Sequence, residues 1–262
     1  MNMDSLLAVA RKNFDDLSEN PYPGRGIVVG LDVTGHFLVM IYWIMGRGKD
    51  SRNRVFNSKG GRLFTEAANP AEMEDPSLII YNAMQEKVIP AERALGFYVV
   101  SNGDQTDTVF EGLSALLHPH YTYLPTCLKE RTYEPDKPNN TPRITAVAHL
   151  GSDKLRVEFA VLRRSRFDES CERDFFIKEK IPAGLGYYVS TYSWDGNPLP
   201  HFRGEPILLP IEGNINQLKD RFWNTLNPDN RVSLAVKFVS LATGKSKLKI
   251  LNKYEKVATA TV

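Results

Sequence analysis

Four stretches of the chain hold polar side chains in patterns that go beyond what a plain fold requires. Arg47, Lys49, Arg52 and Arg54 fall within eight positions beside an apolar run. That much positive charge on a glycine-punctuated loop suits a phosphate, although a solvated basic turn would use the same residues. Tyr81 and Asn82 end the apolar run Leu78-Ile79-Ile80. The amide offers a ligand both a donor and an acceptor, and read in isolation it caps a helix over 83–88 (AMQEKV). Residues 101–108, Ser-Asn-Gly-Asp-Gln-Thr-Asp-Thr, place seven polar side chains and one glycine between a strand end and a helix start. Amides exposed there form an anion or oxyanion site, while turn and cap chemistry accounts for only part of the pattern. Lastly, Asn139-Asn140-Thr141-Pro142-Arg143 leads into a strand, and Tyr188, Ser190 and Tyr192 recur with period two further on. Such a hydroxyl-lined face suits a polar heterocycle, and it also satisfies ordinary β-propensity.

Other patterns fail on inspection. Gly24-Arg25-Gly26-Ile27-Val28-Val29-Gly30 has one residue too many for a dinucleotide fingerprint and precedes a strand instead of following one. Gly244-Lys245-Ser246 lacks the first glycine of a phosphate loop, because Val239 stands in its place. His118 and His120 have no third ligand at metal spacing, so a surface or turn role is expected. The 262 residues carry 33 Lys+Arg against 31 Asp+Glu. That balance excludes a dedicated binder of nucleic-acid polymers. Two cysteines, Cys127 and Cys171, exclude a disulfide framework and point to a reducing compartment. The first residues lack the basic and apolar regions of a signal peptide, and the longest apolar run, 37–45, is far below the ~20 residues that span a bilayer. The expectation is a cytoplasmic protein with no membrane partner.

These residues must be positioned by a mainly β framework. Leu6, Leu7, Ala10, Phe14 and Leu17 have helical spacing, with Asp4 or Ser5 as N-cap, and Asn20-Pro21-Tyr22-Pro23-Gly24 ends that helix. Residues 1–20 are therefore expected to form an added helical extension, and 21–262 a single domain. Strands are predicted at 27–31, 36–45, 54–57, 62–65, 77–81, 96–100, 143–149, 154–163, 174–179, 186–192 and 232–241. Several are continuously apolar, as expected for sheets covered on both faces. Helices are predicted from Thr108 through Leu117, opened by a capping box, and over 214–226. A proline-rich insertion at 118–142, a loop from the end of the 186–192 strand to about 213 and a basic tail complete the chain. Strands and helices that never alternate regularly give an α+β class.

In order along the chain, YPGRG (22–26), SRNR (51–54), IIYN (79–82), VVSNGDQTDT (99–108), NTPRI (140–144) and YVSTY (188–192) resemble the archaeal-type inosine monophosphate (IMP) cyclohydrolase family. The resemblance covers roughly 22–195. It implies a four-layer αββα sandwich similar to N-terminal nucleophile hydrolases, here without the N-terminal nucleophile, since Arg25 stands where the first strand begins. The implied reaction is the dehydrative closure of 5-formamidoimidazole-4-carboxamide ribonucleotide (FAICAR) to IMP in purine biosynthesis. No metal or organic cofactor is implied, the partner is a purine ribonucleotide, and a homo-oligomer is left open.

The resemblance also implies roles for particular residues. Arg25, Arg52 and Arg54 bind phosphate or the formyl oxygen, with Arg52 counted among the catalytic residues, and Arg47 and Lys49 are further phosphate ligands. Asn102, Gly103 and Thr106 clamp the oxyanion or carboxamide, and Asp107 serves as acid/base. Tyr81 and Asn82 meet the base, Tyr81 catalytically, while Asn140, Arg143, Tyr188 and Tyr192 line ribose or base. The chain departs from the compact pattern at its N-terminal helix, at 118–138, at Asp104-Gln105 and after Tyr192. Two other functions fit the same segments: a purine-ribonucleotide sensor without turnover, and a hydrolase of a related cyclic amide ribonucleotide.

Overall fold

A computed structural model describes residues 2–89, 95–115, 122–151 and 155–257. His118 and His120 lie outside the described residues. The chain is α+β, with two large antiparallel sheets and few helices. The first sheet contains β1 (Gly26–Leu31), β2 (Phe37–Met45), β10 (Leu185–Ser190), β11 (Ile207–Pro210), β12 (Arg231–Ser240) and β13 (Ser246–Asn252), in the order β11-β10-β1-β2-β12-β13. The second runs in sequence order: β3 (Arg54–Lys59), β4 (Arg62–Ala67), β5 (Asn82–Ile89), β6 (Leu95–Ser101), β7 (Arg143–Leu150), β8 (Leu155–Arg164) and β9 (Cys171–Lys178). The helices are α1 (Met3–Glu19), the short α2 (Lys49–Arg52), α3 (Gln105–Ala115), α4 (Tyr123–Cys127) and α5 (Ile215–Thr225), with a 3₁₀ turn at Pro70–Glu72.

Three apolar clusters account for the packing. One joins both sheets through Ile27, Val29, Met40 and Tyr42 from the first and Tyr98, Val100, Ile144 and Phe159 from the second. Another gathers Val28, Ile41, Trp43 and Val236 of the first sheet with Phe14 and Leu17 of α1 and Phe222 and Trp223 of α5. The last puts Val109 and Leu113 of α3 and Leu124 of α4 on Phe97, Val99 and Leu162 of the second sheet. The continuous apolar strands are therefore buried on both faces: β2 is buried at every position after Phe37.

Local chemistry explains the helix ends. Asn2, not Asp4 or Ser5, caps α1, its side chain accepting the Ser5 amide at 2.9 Å. Asn214 and Gln217 form a reciprocal capping box on α5. α3 begins at Gln105, three residues before the predicted capping box.

Several predicted elements are corrected. Residues 77–79 form a turn and 80–81 an irregular connection, and AMQEKV is strand β5, not a helix. Pairing of β5 with β4 and β6 buries Ala83, Met84 and Gln85, and that burial overrides the local helix preference. The expected loop before 213 contains β11, and the basic tail contains β13, whose Lys247 and Lys249 point to solvent between half-buried Leu248 and Ile250. The predicted 118–142 insertion includes α4.

Candidate active site

Arg25 sits on a turn immediately before β1 that leaves it little freedom. Gly24 has φ +72°, and a Cβ on Gly26 would lie 2.0 Å from the Trp43 ring. The turn is laced to the end of β10: the Arg25 amide donates to Thr191 Oγ1 at 3.1 Å, Thr191 N–H to Arg25 O at 2.9 Å and Tyr192 N–H to Pro23 O at 3.2 Å. This delivers the guanidinium to within 3.5 Å of Glu134, whose side chain is 2% exposed. Glu134 arrives from the loop before β7, held by its own amide donating to Thr141 O at 2.9 Å. Asn140, in that loop, has φ +46°.

Arg54 opens β3 and is 1% exposed. Its Nε donates to Ser51 O at 3.0 Å and its Nη2 to Met45 O at 3.3 Å. Arg54 Nη1 and Arg25 Nε, both buried, have no hydrogen-bond partner. Buried donors are almost always paired in folded proteins, so two orphaned guanidinium N–H groups call for an acceptor from outside the chain. Beside them Tyr42 and Tyr81 join hydroxyl to hydroxyl at 2.7 Å, and Tyr192 meets Thr141.

These groups line or adjoin a cleft of about 470 Å³. Arg25, Arg47, Lys49, Arg54 and Tyr192 line it, together with Tyr22, Asp136 and Thr141. Burial pushes the Glu134 carboxyl up to about 7, with Asp136 adding to the rise and Arg25, Arg143 and Arg54 opposing it. Burial works against the charge on Arg25 as well, but Glu134 and the surrounding tyrosines hold it well above its ordinary value. For Arg54, burial and neighbouring Arg25 bring the value down. Burial keeps the Tyr42 phenol protonated far into alkali. The result is a carboxyl poised near neutrality between fixed cations, equipped to take up and return a proton.

The remaining residues singled out from the sequence divide into two groups. Asn102 and Gly103 support the site from behind. Asn102 Oδ1 accepts Ile144 N–H at 2.8 Å and Gln105 Nε2 at 2.9 Å, and its Nδ2 donates to Pro142 O at 2.9 Å and Glu134 Oε1 at 3.4 Å. A Cβ on Gly103 would lie 2.6 Å from Arg143 Nη1 and 3.4 Å from Glu134 Oε1, so a side chain here would displace the Arg143 guanidinium. Arg143 is committed to Asp104 at 2.6 Å and Gln105 at 2.7 Å. Asp104, also bonded to Arg131, is drawn below its usual value by the two arginines despite partial burial.

A second group lies apart from the cleft. Asp107 accepts Asn82 Nδ2 at 2.8 Å and also binds Gln85, tying α3 to β5. Thr106 binds Ser101 and Gly103 O within its own turn. Arg52 donates to Gly46 O at 3.0 Å and approaches Asn230 at 3.5 Å. Tyr188 stacks on Trp43 at 5.4 Å in the cluster with α1 and α5. Asn140 borders a neighbouring cleft.

Sequence reasoning missed Glu134, Tyr42, Asp136 and Thr141 as site residues. Thr141 and Pro142 stood inside a quoted motif, but Glu134 lay in a proline-rich stretch taken as an insertion, and Tyr42 was hidden in an apolar run. Among the described residues there is no group of three or more His, Cys, Asp or Glu placed to hold a metal ion. Nor is any helix among them long and apolar enough to cross a membrane.

A family model described as IMP cyclohydrolase-like protein matches residues 22–244, well over half of the chain. No curated protein matches it. A solved structure, Anbu from Hyphomicrobium sp. strain MC1, is similar at a TM-score of 0.40 and 12% identity, over 85% of this chain and 86% of that one. A likeness this distant carries no argument about the site.

Proposed function

The chain belongs to the IMP cyclohydrolase-like family, and from that membership we propose that it closes the formamide of FAICAR onto its neighbouring carboxamide to give IMP and water. The carboxamide nitrogen attacks the formyl carbon, forming the ring C–N bond. The formyl oxygen then leaves as water, taking one proton from that nitrogen and one from the formamide N–H, as the C=N bond forms. Because both groups sit on one imidazole, holding the formamide in the reactive rotamer supplies much of the acceleration.

Glu134 is the acid/base in this proposal: its ionised form takes the proton from the attacking nitrogen and its protonated form returns it to the departing oxygen. Arg25 and Arg54 hold the formyl oxygen as it gains negative charge, using the N–H groups that the protein leaves unpaired. The Tyr42–Tyr81 pair offers neutral hydroxyls beside them. Asn102 and Gly103 position Glu134, and Tyr192 with Thr141 forms the wall towards the ribose. The same reading takes the three apolar clusters as the interlayer cores of a four-layer αββα sandwich, with 1–20 an extension of the domain at 21–262. It also places the reaction in the cytoplasm, without nucleic-acid polymer, membrane or cofactor.

The observation that carries this reading is the pair of orphaned buried guanidinium donors flanking a carboxyl that titrates near 7. The test is to mix the purified protein with FAICAR and follow ring closure by absorbance, identifying IMP chromatographically against an enzyme-free control. IMP formed above that control is the expected result. Tight IMP binding with no turnover would replace the enzyme by a nucleotide sensor, and neither binding nor turnover would remove the purine reading altogether.

A further inference from the structure

A second cleft, of about 390 Å³, adjoins the one just described, and Asn139 and Leu199 line both. The two differ in charge. The first has Asp50, Glu74 and Asp136 among its cationic lining, whereas the second presents Arg164, Arg166 and Arg203 with no carboxylate in its wall. Arg164 is oriented by Glu169 at 2.8 Å and Arg203 by Glu172 at 2.8 Å, and Glu172 is already shared with Arg163 at 3.0 Å. Arg166 pairs with no side chain among the described residues. Arg47, by contrast, is occupied: it forms an ion pair with Asp195, donates to Gly196 O at 3.1 Å and lies 4.9 Å over the Tyr22 ring.

We propose that the arginine-lined second cleft takes the 5′-phosphate of the ribonucleotide whose base occupies the first, with the ribose crossing at Asn139 and Leu199. This inference rests on the purine-ribonucleotide reading above. A phosphate dianion is favoured where guanidinium groups line one cleft while the carboxylates that orient them, Glu169 and Glu172, stand outside its wall, and planar guanidinium forks match its oxygens. Ser165 also lines this cleft, its hydroxyl accepting the Phe167 amide at 3.2 Å. Arg166 and Arg203 are thus assigned as the residues that distinguish a nucleotide from a nucleoside.

The test compares binding of IMP and inosine by calorimetry. The wild-type protein is expected to prefer IMP by about tenfold or more, the effect of charge-assisted hydrogen bonds. In Arg166→Ala/Arg203→Gln that preference should fall to about threefold or less, with inosine affinity unchanged. Unchanged inosine affinity also reports that the fold is intact. Should Arg203→Gln disturb folding, Arg166→Glu alone, at an unpaired side chain, must still erase most of the preference. Inorganic phosphate should compete with IMP and not with inosine.

A preference that survives in the double variant, or that disappears instead in Arg47→Ala/Lys49→Ala, would overturn the assignment and put the phosphate in the first cleft. Equal wild-type affinity for IMP and inosine would also overturn it while leaving the purine reading standing. Wild-type binding of neither would overturn both.

Discussion

Buried ion pairs bridge the two sheets at two places, and they are built to opposite ends. On β12, Lys237 reaches Glu86 of β5 at 2.6 Å and donates to Gly61 O at 2.8 Å, while Ser246 Oγ donates to Glu86 at 3.0 Å. Burial pulls the Lys237 value down and Glu86 opposes the fall. At the other place Arg25 stands 3.5 Å from Glu134, its Nε lacks a partner, and Arg25 lines a cleft. Both regions incur the desolvation of two charges, which costs several kcal/mol per ion before their attraction is counted. The lysine pair recovers this by closing on itself at short distance. The arginine pair does not, and its shortfall is what a bound ligand's oxygens would complete. Charge burial alone therefore does not mark a site; unpaired guanidinium donors beside an open cleft do.

The comparison breaks most readily at Glu134. Glu134→Gln should lower kcat for FAICAR closure by about 10²–10⁴-fold, the usual share of a general acid/base. In the wild-type protein kcat/KM should rise with pH through about 7 as the carboxylate forms, and the variant should lose that limb. The sign for stability runs the other way. The folded carboxyl titrates near 7 against an ordinary 4.5, so between those values the folded protein holds more protons than the unfolded chain. Its favourable contribution is full below the lower value and is lost as pH rises through the upper one. A wild-type pH–rate limb retained in Glu134→Gln would take the residue out of the chemistry.

Arg25→Met should cost about 10²–10³-fold in kcat, the typical loss on removing one oxyanion donor. Its unfolding free energy should change by only about 1 kcal/mol, because Glu134 can take up a proton when its cation is removed. The mirror experiment is Glu86→Gln, which strands Lys237 and should lower stability by about 3 kcal/mol in denaturant titration. Turnover at 25 °C should be unaffected, since Glu86 lies away from the cleft. If instead Glu86→Gln lost activity and Arg25→Met lost the fold, the contrast between the two pairs would be reversed.

How far the sequence shows this contrast depends on where the determining contacts come from. β2 and β12 are legible because burial on both faces leaves a continuous apolar run, and α1 and α5 because a 3.6-residue period and local caps are written in adjacent residues. β5 is not, since Gln85, Glu86 and Lys87 are good helix formers whose conformation is decided by β4 and β6 alongside. Arg25, Arg54 and Tyr192 could be picked out from short motifs around them. Glu134 could not: it is buried against Arg25, Asn102 and the turn at Gly103, none of them near it in sequence, and that burial raises its carboxyl value while Arg25 opposes the rise. Asp107 illustrates the converse. The resemblance implied acid/base chemistry for it, while Asn82 and Gln85, reaching across from β5, make it a tie between elements.

The smallest expected effect is at Arg52, and it separates lining the cleft from holding what lines it. Arg52 was expected from its motif to be catalytic, yet its Nε is bonded to Gly46 O at 3.0 Å and Gly46 N–H in turn donates to Asn230 O at 2.8 Å. That anchor fixes the start of the loop that carries Arg47 and Lys49 to the cleft mouth. A Cβ on Gly46 would lie 2.5 Å from the Ser51 backbone, so the loop is already tightly folded on itself. Removing one such hydrogen bond with Arg52→Ala should loosen the loop by about 1 kcal/mol. A weakened mouth acts on binding more than on the reacting groups, so KM should rise by about fivefold with kcat nearly unchanged. A hundredfold fall in kcat at constant KM would instead place the Arg52 guanidinium on the reacting oxygen, and would require the 46–52 segment to turn inward when substrate binds.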